Sequence, residues 1–327
     1  MHLTRRGLLA ASLGALATPA LAPPARAQAF PNRPVRIVVP FPPGGGTDNL
    51  TRLVAERLSA ALGWSVVVEN KPGAGGNVAL DGVAKSRPDG YTMVMAQTDN
   101  VVLNPLTYSR LPYDPDRDLM PVGLIASGAA VLVVRADAPW KSLAEFTAAA
   151  REKRGQLTFG SPGIGTVSHL ILELWQRSAG IQLNHIPYRG IAQSLPDLIN
   201  GQIDSYMGSI PTLRGHIEGG RVRALAVSSG QRSATLPEVP TFREAGIEGV
   251  ELASVWGLMA PTGTPQEIVE QVNAAVNRMI EEPETRKRIV ESGADVLGGT
   301  PAAMGQFYAS ERERLGRVVR DANIRLE

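Results

Sequence analysis

A β-branched run that ends in a glycine-rich turn and leads directly into an amphipathic helix occurs twice in this chain. That repetition restricts the fold more than any other feature. In the first copy Val35-Arg36-Ile37-Val38-Val39 stops at Pro40, and the turn Phe41-Pro42-Pro43-Gly44-Gly45-Gly46 follows. Thr47 and Asp48 offer N-cap oxygens to a helix whose Leu50, Leu53, Val54, Leu58 and Leu62 share one face, and Gly63 ends it. The strand Ser65-Val66-Val67-Val68, closed by Asn70-Lys71-Pro72-Gly73, a helix over Asn77 to Lys85 and the strand Tyr91 to Met95 complete this stretch. In the second copy the strand Leu157-Thr158-Phe159 gives way to Gly160-Ser161-Pro162-Gly163-Ile164-Gly165. Thr166 then caps a helix with Leu170, Ile171, Leu174 and Trp175 on its buried face, and a strand over Ile181 to Ile186 runs into Pro187-Tyr188-Arg189-Gly190. Strands alternating with helices predict parallel sheets with crossover helices. Common βαβ units converge on the same pattern, and the repetition suggests two lobes built alike.

The segments between the copies place the crossings. Pro121 to Ala126 and Ala130 to Val134 read as two apolar strands flanking Ser127-Gly128, where the chain would pass from one lobe to the other. Leu225-Ala226-Val227 and Val255-Trp256-Gly257-Leu258-Met259 mark the return. Thr264-Pro265-Gln266-Glu267 reads as an N-cap before a long helix with Ile268, Val272, Val276 and Ile280 inside, and Thr300-Pro301 opens the last helix in the same way. The expected division is therefore a discontinuous lobe 1 (28–128 plus 255–327), a lobe 2 (129–254), and a ligand cleft between them.

Residues 1–27 carry Arg5 and Arg6, no acid, an apolar run from Leu8 to Leu21 and a small-x-small end at Ala25-Arg26-Ala27. This predicts a signal peptide cut before Gln28, for a Sec or twin-arginine route, and a periplasmic location. Gly14, Thr18 and Pro19 argue against a membrane anchor. The whole chain has 33 Lys+Arg against 31 Asp+Glu, and the leader holds three of the arginines, so the mature chain would be almost neutral. That balance gives no footprint for nucleic acid. The absence of cysteine among 327 residues excludes disulfides, thiolate metal sites and thiol nucleophiles.

Catalytic signatures are thin. After the leader only His169, His185 and His216 remain, in no triad or metal-ligand spacing; His169 and Glu173 stand four apart without a second histidine pair. There is no GxSxG elbow, Walker lysine or GxGxxG. No cofactor and no metal are expected. What stands out instead is the pair of glycine turns, each at the C-terminal end of a strand and the N-terminal end of a helix. Free backbone N–H groups and the helix dipole favour an anion there. Thr47, Ser161 and Thr166 add hydroxyls. Two such turns facing each other would grip both ends of a small dianion; taken singly, each is also an ordinary turn and cap.

The motifs Pro40-Phe41-Pro42-Pro43-Gly44-Gly45-Gly46-Thr47-Asp48, Val67-Val68-Glu69-Asn70-Lys71-Pro72-Gly73-Ala74-Gly75-Gly76-Asn77, Pro88-Asp89-Gly90-Tyr91-Thr92 and Leu111-Pro112-Tyr113-Asp114-Pro115 resemble the Bug (TctC) family of periplasmic substrate-binding proteins of tripartite tricarboxylate transporters. The resemblance continues through Gly163-Ile164-Gly165-Thr166-Val167-Ser168-His169-Leu170, His185 to Gly190 and Leu236-Pro237-Glu238-Val239-Pro240-Thr241. It implies an α/β, two-lobed Venus-flytrap fold, each lobe a mostly parallel sheet flanked by helices. It also implies a monomer that closes on a small carboxylate and serves membrane transporter subunits or a sensor, with no catalysis. The implied ligand-binding residues are Phe41, Gly44, Gly45, Thr47, Asp48, Gln97, Thr98, Asn104, Ser161, Gly163, Gly165, Thr166, His169, Gly208 and Ser209. In this resemblance His169 would be a cleft-wall or helix-dipole residue instead of a base. Gly208-Ser209 stand where the family commonly has Asp-Asn, which removes polar contacts and disfavours a buried ammonium; Asp99 is the one nearby acid. The different class of reading is an exported hydrolase or isomerase using His169 with Asp48 or Asp99.

Overall fold

The computed structural model describes residues 30–321; the expected leader of residues 1–27 lies outside them. In chain order the elements are β1 (Val35–Val39), α1 (Gly46–Leu62), β2 (Val66–Asn70), α2 (Asn77–Ala84), β3 (Thr92–Gln97), α3 (Asn104–Thr107), β4 (Leu119–Arg135), α4 (Leu143–Lys153), β5 (Thr158–Ser161) and α5 (Val167–Ala179). They continue with β6 (Asn184–Pro187), α6 (Ile191–Ile199), β7 (Ser205–Ser209), α7 (Ile210–Glu218), β8 (Val222–Val227), β9 (Ala253–Pro261), α8 (Gln266–Glu281), α9 (Pro283–Glu291), β10 (Asp295–Val296) and α10 (Pro301–Asp321). From Arg33 onward these form one unit.

The α/β class follows from the pattern. β1, buried and β-branched, lies parallel between β2 and β3, with Ile37 opposite both Val68 and Met93. β5 lies parallel between β6 and β7 in the same way. Antiparallel strands join these two parallel groups: β9 pairs with β3, and β4 pairs with β9 and β10 along its first part and with β7 and β8 along its second. The result is a mixed, curled sheet flanked by helices.

β4 corrects one expectation. Ser127-Gly128 does not break the chain into two strands, because all 17 residues of β4 are extended and paired on both sides of that point. A Cβ on Gly128 would sit 2.9 Å from Trp256 Cζ3 of β9, so glycine is needed there for close approach and not for a turn. Beyond it the side chains alternate. Val131 and Val133 enter a core with Tyr206, Ile210 and Leu213, while Leu132 and Val134 enter a core with Phe146, Phe159 and Trp175. Both faces of β4 are thus covered, as its near-continuous apolar run requires.

The helix starts are mixed. α5 begins as expected, with Thr166 Oγ1 accepting from His169 N–H, and Thr300 Oγ1 accepts from Ala303 N–H at the start of α10. α1 does not: its N-cap is Gly45, with no side-chain cap, because Thr47 and Asp48 are already inside the first turn. Thr264 likewise donates to Pro261 C=O at 2.8 Å, and the N-cap of α8 is Pro265. β6 is shorter than expected, with Ile181 and Leu183 packed in the approach to it. Trp175 fixes α5, packing edge-on to Phe242 at 5.6 Å and to Phe159 at 6.4 Å. Emptying such a site costs roughly 3–5 kcal/mol, against about 1 kcal/mol for a cap, so the buried face sets where the N-terminus of α5 stands.

Candidate ligand-binding cavity

The first glycine turn is braced from behind. Asp48, 2% exposed, accepts from Gly44 N–H at 2.9 Å, from Arg52 Nε at 3.0 Å and from Asn70 Nδ2 at 2.9 Å. Asn70 Nδ2 also donates to Phe41 C=O, so one amide ties both ends of the turn. Burial raises the Asp48 pKa, but the bonds from Arg52, Gly44 and Asn70 outweigh it and hold the carboxyl below its ordinary range. Asp48 is therefore spent on the turn.

At the front of the turn Gly46 N–H donates to Thr212 Oγ1 at 2.7 Å, and Thr212 bonds Ser209 Oγ at 2.8 Å. A Cβ on Gly46 would lie 2.6 Å from Ser209 Oγ, so only glycine permits this approach. The next two N–H groups, of Thr47 and Asp48, take no hydrogen bond among the described residues.

A relay of buried polar side chains leads from α1 to α5. Trp256 Nε1 donates to Thr47 Oγ1 at 2.9 Å and to Gln97 Oε1 at 3.1 Å, and Thr47 Oγ1 donates to the same Gln97 oxygen. With its oxygen so occupied, Gln97 turns Nε2 to Asp99 Oδ2 at 2.5 Å. Asp99 Oδ1 accepts from Val167 N–H, the first residue of α5, at 2.9 Å. Burial raises the Asp99 pKa to about 6, although the bonds from Val167 and Gln97 pull it down.

The second glycine turn is bonded largely within itself, while the N–H of Ser168, the second residue of α5, has no partner among the described residues. Ser161 Oγ bonds Gly163 and lies 2.7 Å from His185 Nε2. Thr166 Oγ1 donates to Gly163 C=O at 2.8 Å, and Gly165 N–H donates to His169 Nδ1 at 3.3 Å. That bond assigns the proton of neutral His169 to Nε2, which is 3.6 Å from Glu173. The His169 ring stacks on His185 at 4.3 Å. Burial, then the neighbouring His169, lowers the His185 pKa to about 4.

These elements enclose a cavity of about 80 Å³. At the 10–15 Å³ needed per water, it has room for on the order of half a dozen small groups. Of the expected site residues, Phe41, Gly45, Thr47, Gln97, Thr166, Gly208 and Ser209 line it. Gly44, Asp48, Thr98, Asn104, Ser161, Gly163, Gly165 and His169 do not, each being turned to other work. Thr98 Oγ1 accepts from Val255 N–H, Asn104 Nδ2 donates to Gly75 C=O and Asn77 Oδ1, and His169 faces His185 behind the turn. His169 is thus not on the wall of this cavity. Residues that sequence reasoning did not place on the wall include Gly46, Val167, Ser168, Gly190, Ile191, Tyr206, Thr212, Ser254 and Trp256. Trp256 sits in an apolar strand and reads as core; its N–H is 209 positions from Thr47, and no local pattern signals that contact. Ser168 and Val167 were within reach of the helix-terminus argument, since they are the first residues after the Thr166 cap.

Residues 50–324 match the model of the tripartite tricarboxylate transporter family receptor, TctC. Protein BugT of Bordetella pertussis is 34% identical over 328 residues, spanning 100% of both chains. An R. palustris protein, Rpa4515, in a structure with adipate, is 36% identical with a TM-score of 0.88, over 90% of this chain and 99% of its own. MatC from Rhodopseudomonas palustris with bound malate is 33% identical with a TM-score of 0.83, over 89% of this chain and 100% of its own. The chain belongs to the TctC (Bug) family of periplasmic solute-binding receptors.

Proposed function

We propose that this protein is a non-enzymatic, exported receptor that holds one carboxylate of a small organic acid at the N-terminus of α1. One observation carries the reading: the Thr47 and Asp48 N–H groups are unpaired among the described residues, and the cavity that Thr47 lines has no Lys, Arg or His on its wall. An anion there would be held by backbone dipoles and hydroxyls alone. The relatives whose structures are with adipate and with bound malate support the ligand class.

Lobes 28–128 plus 255–327 and 129–254 would separate along β4 and close on the ligand. Two bonds would be made only on closure, Gly46 N–H to Thr212 Oγ1 and Val167 N–H to Asp99, since each joins elements of the two halves. A ligand touching both halves shifts that equilibrium by its differential affinity, and the closed monomer is what membrane transporter subunits or a sensor would recognise. Isothermal titration with mono-, di- and tricarboxylates tests this. Binding with ligand recovered chemically unchanged supports it; no heat with any member, or turnover abolished by His169→Ala, overturns it.

A further inference from the structure

Asp99 is the one carboxylate on the cavity wall, 4% exposed, at the terminus where a second anion would otherwise sit. Its orientation is imposed. Trp256 and Thr47 both donate to Gln97 Oε1, so Gln97 presents Nε2 to Asp99, and Val167 N–H takes the other oxygen. A carboxylate offers about four acceptor positions, and these bonds fill two. The vacancies accept hydrogen bonds and repel anions. The two ends of the cavity are therefore unlike: an open N–H donor and no carboxylate on the wall at α1, and at α5 the open Ser168 N–H beside an acceptor with negative charge.

We propose that Asp99 selects a carboxylate whose far end carries a hydrogen-bond donor, a hydroxyl or an ammonium, over the dicarboxylate of equal length. The inference rests on the receptor reading above. A second ligand carboxylate at α5 would meet Asp99 as a like charge in a buried site, whereas a donor completes the carboxylate's shell. Protonating Asp99 removes the discrimination. The other titratable side chain on the wall is Tyr206, whose pKa burial pushes up, so it stays neutral. Arg52 behind the α1 turn is paired with Asp48, and His169 on α5 faces His185, so neither supplies Asp99 with a counter-charge.

Titration of the purified protein with matched sets decides it: 4-aminobutyrate and 4-hydroxybutyrate against succinate, 6-aminohexanoate and 6-hydroxyhexanoate against adipate. At pH 8 the donor-ended member of the set that fits binds about tenfold or more tighter than its dicarboxylate, and the ratio narrows at pH 5. Asp99→Asn and Asp99→Ser, either of which suffices, narrow it at pH 8. A dicarboxylate bound as tightly as its partners by the wild-type protein at pH 8, or a ratio unchanged in a folded variant, overturns the assignment of Asp99 and leaves the receptor reading standing. No binding of any member removes both.

Discussion

The two glycine turns look alike in sequence and differ in what they leave unsatisfied. The β1–α1 turn is braced from outside by Asp48, Asn70 and Arg52, its helix has no side-chain cap, and two first-turn N–H groups stay unpaired among the described residues. In the β5–α5 turn Thr166 caps, His169 takes Gly165 N–H and Asp99, from the end of β3, takes Val167 N–H, so that of the first residues of α5 only Ser168 N–H stays unpaired among the described residues. One strand–turn–helix unit is thus finished in two ways, with an uncapped helix terminus in one place and a side-chain-capped terminus that holds Asp99 in the other. The symmetric grip on a dianion that the sequence suggests would have to be made by turns that are not equivalent, since the second already holds Asp99. What distinguishes them is whether the protein has already supplied an acceptor for the helix terminus.

Adding one methyl group to each turn separates their roles most strongly. Gly46→Ala places a Cβ 2.6 Å from Ser209 Oγ and 3.1 Å from Thr212 Oγ1, across the junction that closure makes. Overpacking of that kind costs roughly 1–3 kcal/mol, so carboxylate affinity should fall about 10–100-fold in titration calorimetry. At Gly163, φ is +149° and the nearest atom to an added Cβ is 3.6 Å away. Gly163→Ala should lower thermal stability by about 1 kcal/mol of backbone strain and leave affinity within about twofold. Equal affinity losses in the two variants would break the comparison.

The hydroxyls of the two turns give a smaller, opposite pair of effects. Thr47→Val removes a donor to Gln97 and an acceptor for Trp256 in a buried relay, costing about 1–3 kcal/mol, most of it in ligand affinity because the relay forms the cavity wall. Thr166→Ala removes an N-cap, and about 1 kcal/mol should appear in unfolding experiments, with affinity little changed.

How much of this could be read from the chain depends on the range of the interaction. β1, the face of α1, the αL stop at Gly63 and the Thr166 cap are local, and periodicity and glycine placement show them. The brace of Asp48 was half legible: an acid in a first turn reads as a cap, and only the approach of Asn70 from the end of β2 shows that it turns back to the loop. The continuity of β4 and the Trp256–Thr47–Gln97 relay were not legible. Gly128 reads as a break until Trp256 is seen to lie over it, and that register joins residues more than a hundred positions apart.

Acid should unlock the two turns at different pH, with the smallest effect of the series. His185 bonds Ser161 at the base of the second turn, and its folded pKa of about 4 lies below the ordinary value of 6.5. The unfolded chain therefore takes up a proton first, and stability falls as pH drops from about 6.5 toward 4. Asp48 in the first turn has a folded pKa below its unfolded value of 3.8, so its contribution is complete above that value and is lost only as pH falls further. Asp99 runs the other way: with a folded pKa raised to about 6 its ionisation disfavours the fold, and acidification from pH 6 to 4 relieves that cost. The His185 and Asp99 slopes oppose each other over the same interval, so the wild-type curve should be shallow between pH 6 and 4. Asp99→Asn should steepen the loss there, and His185→Gln should turn it into a gain. Hydrogen exchange resolves the turns directly: the bonded amides of Gly165, Val167 and His169 should lose protection as pH falls toward 4 while those of Gly44, Gly46 and Asn49 hold until lower pH, and simultaneous loss would show that the turns are not separately braced.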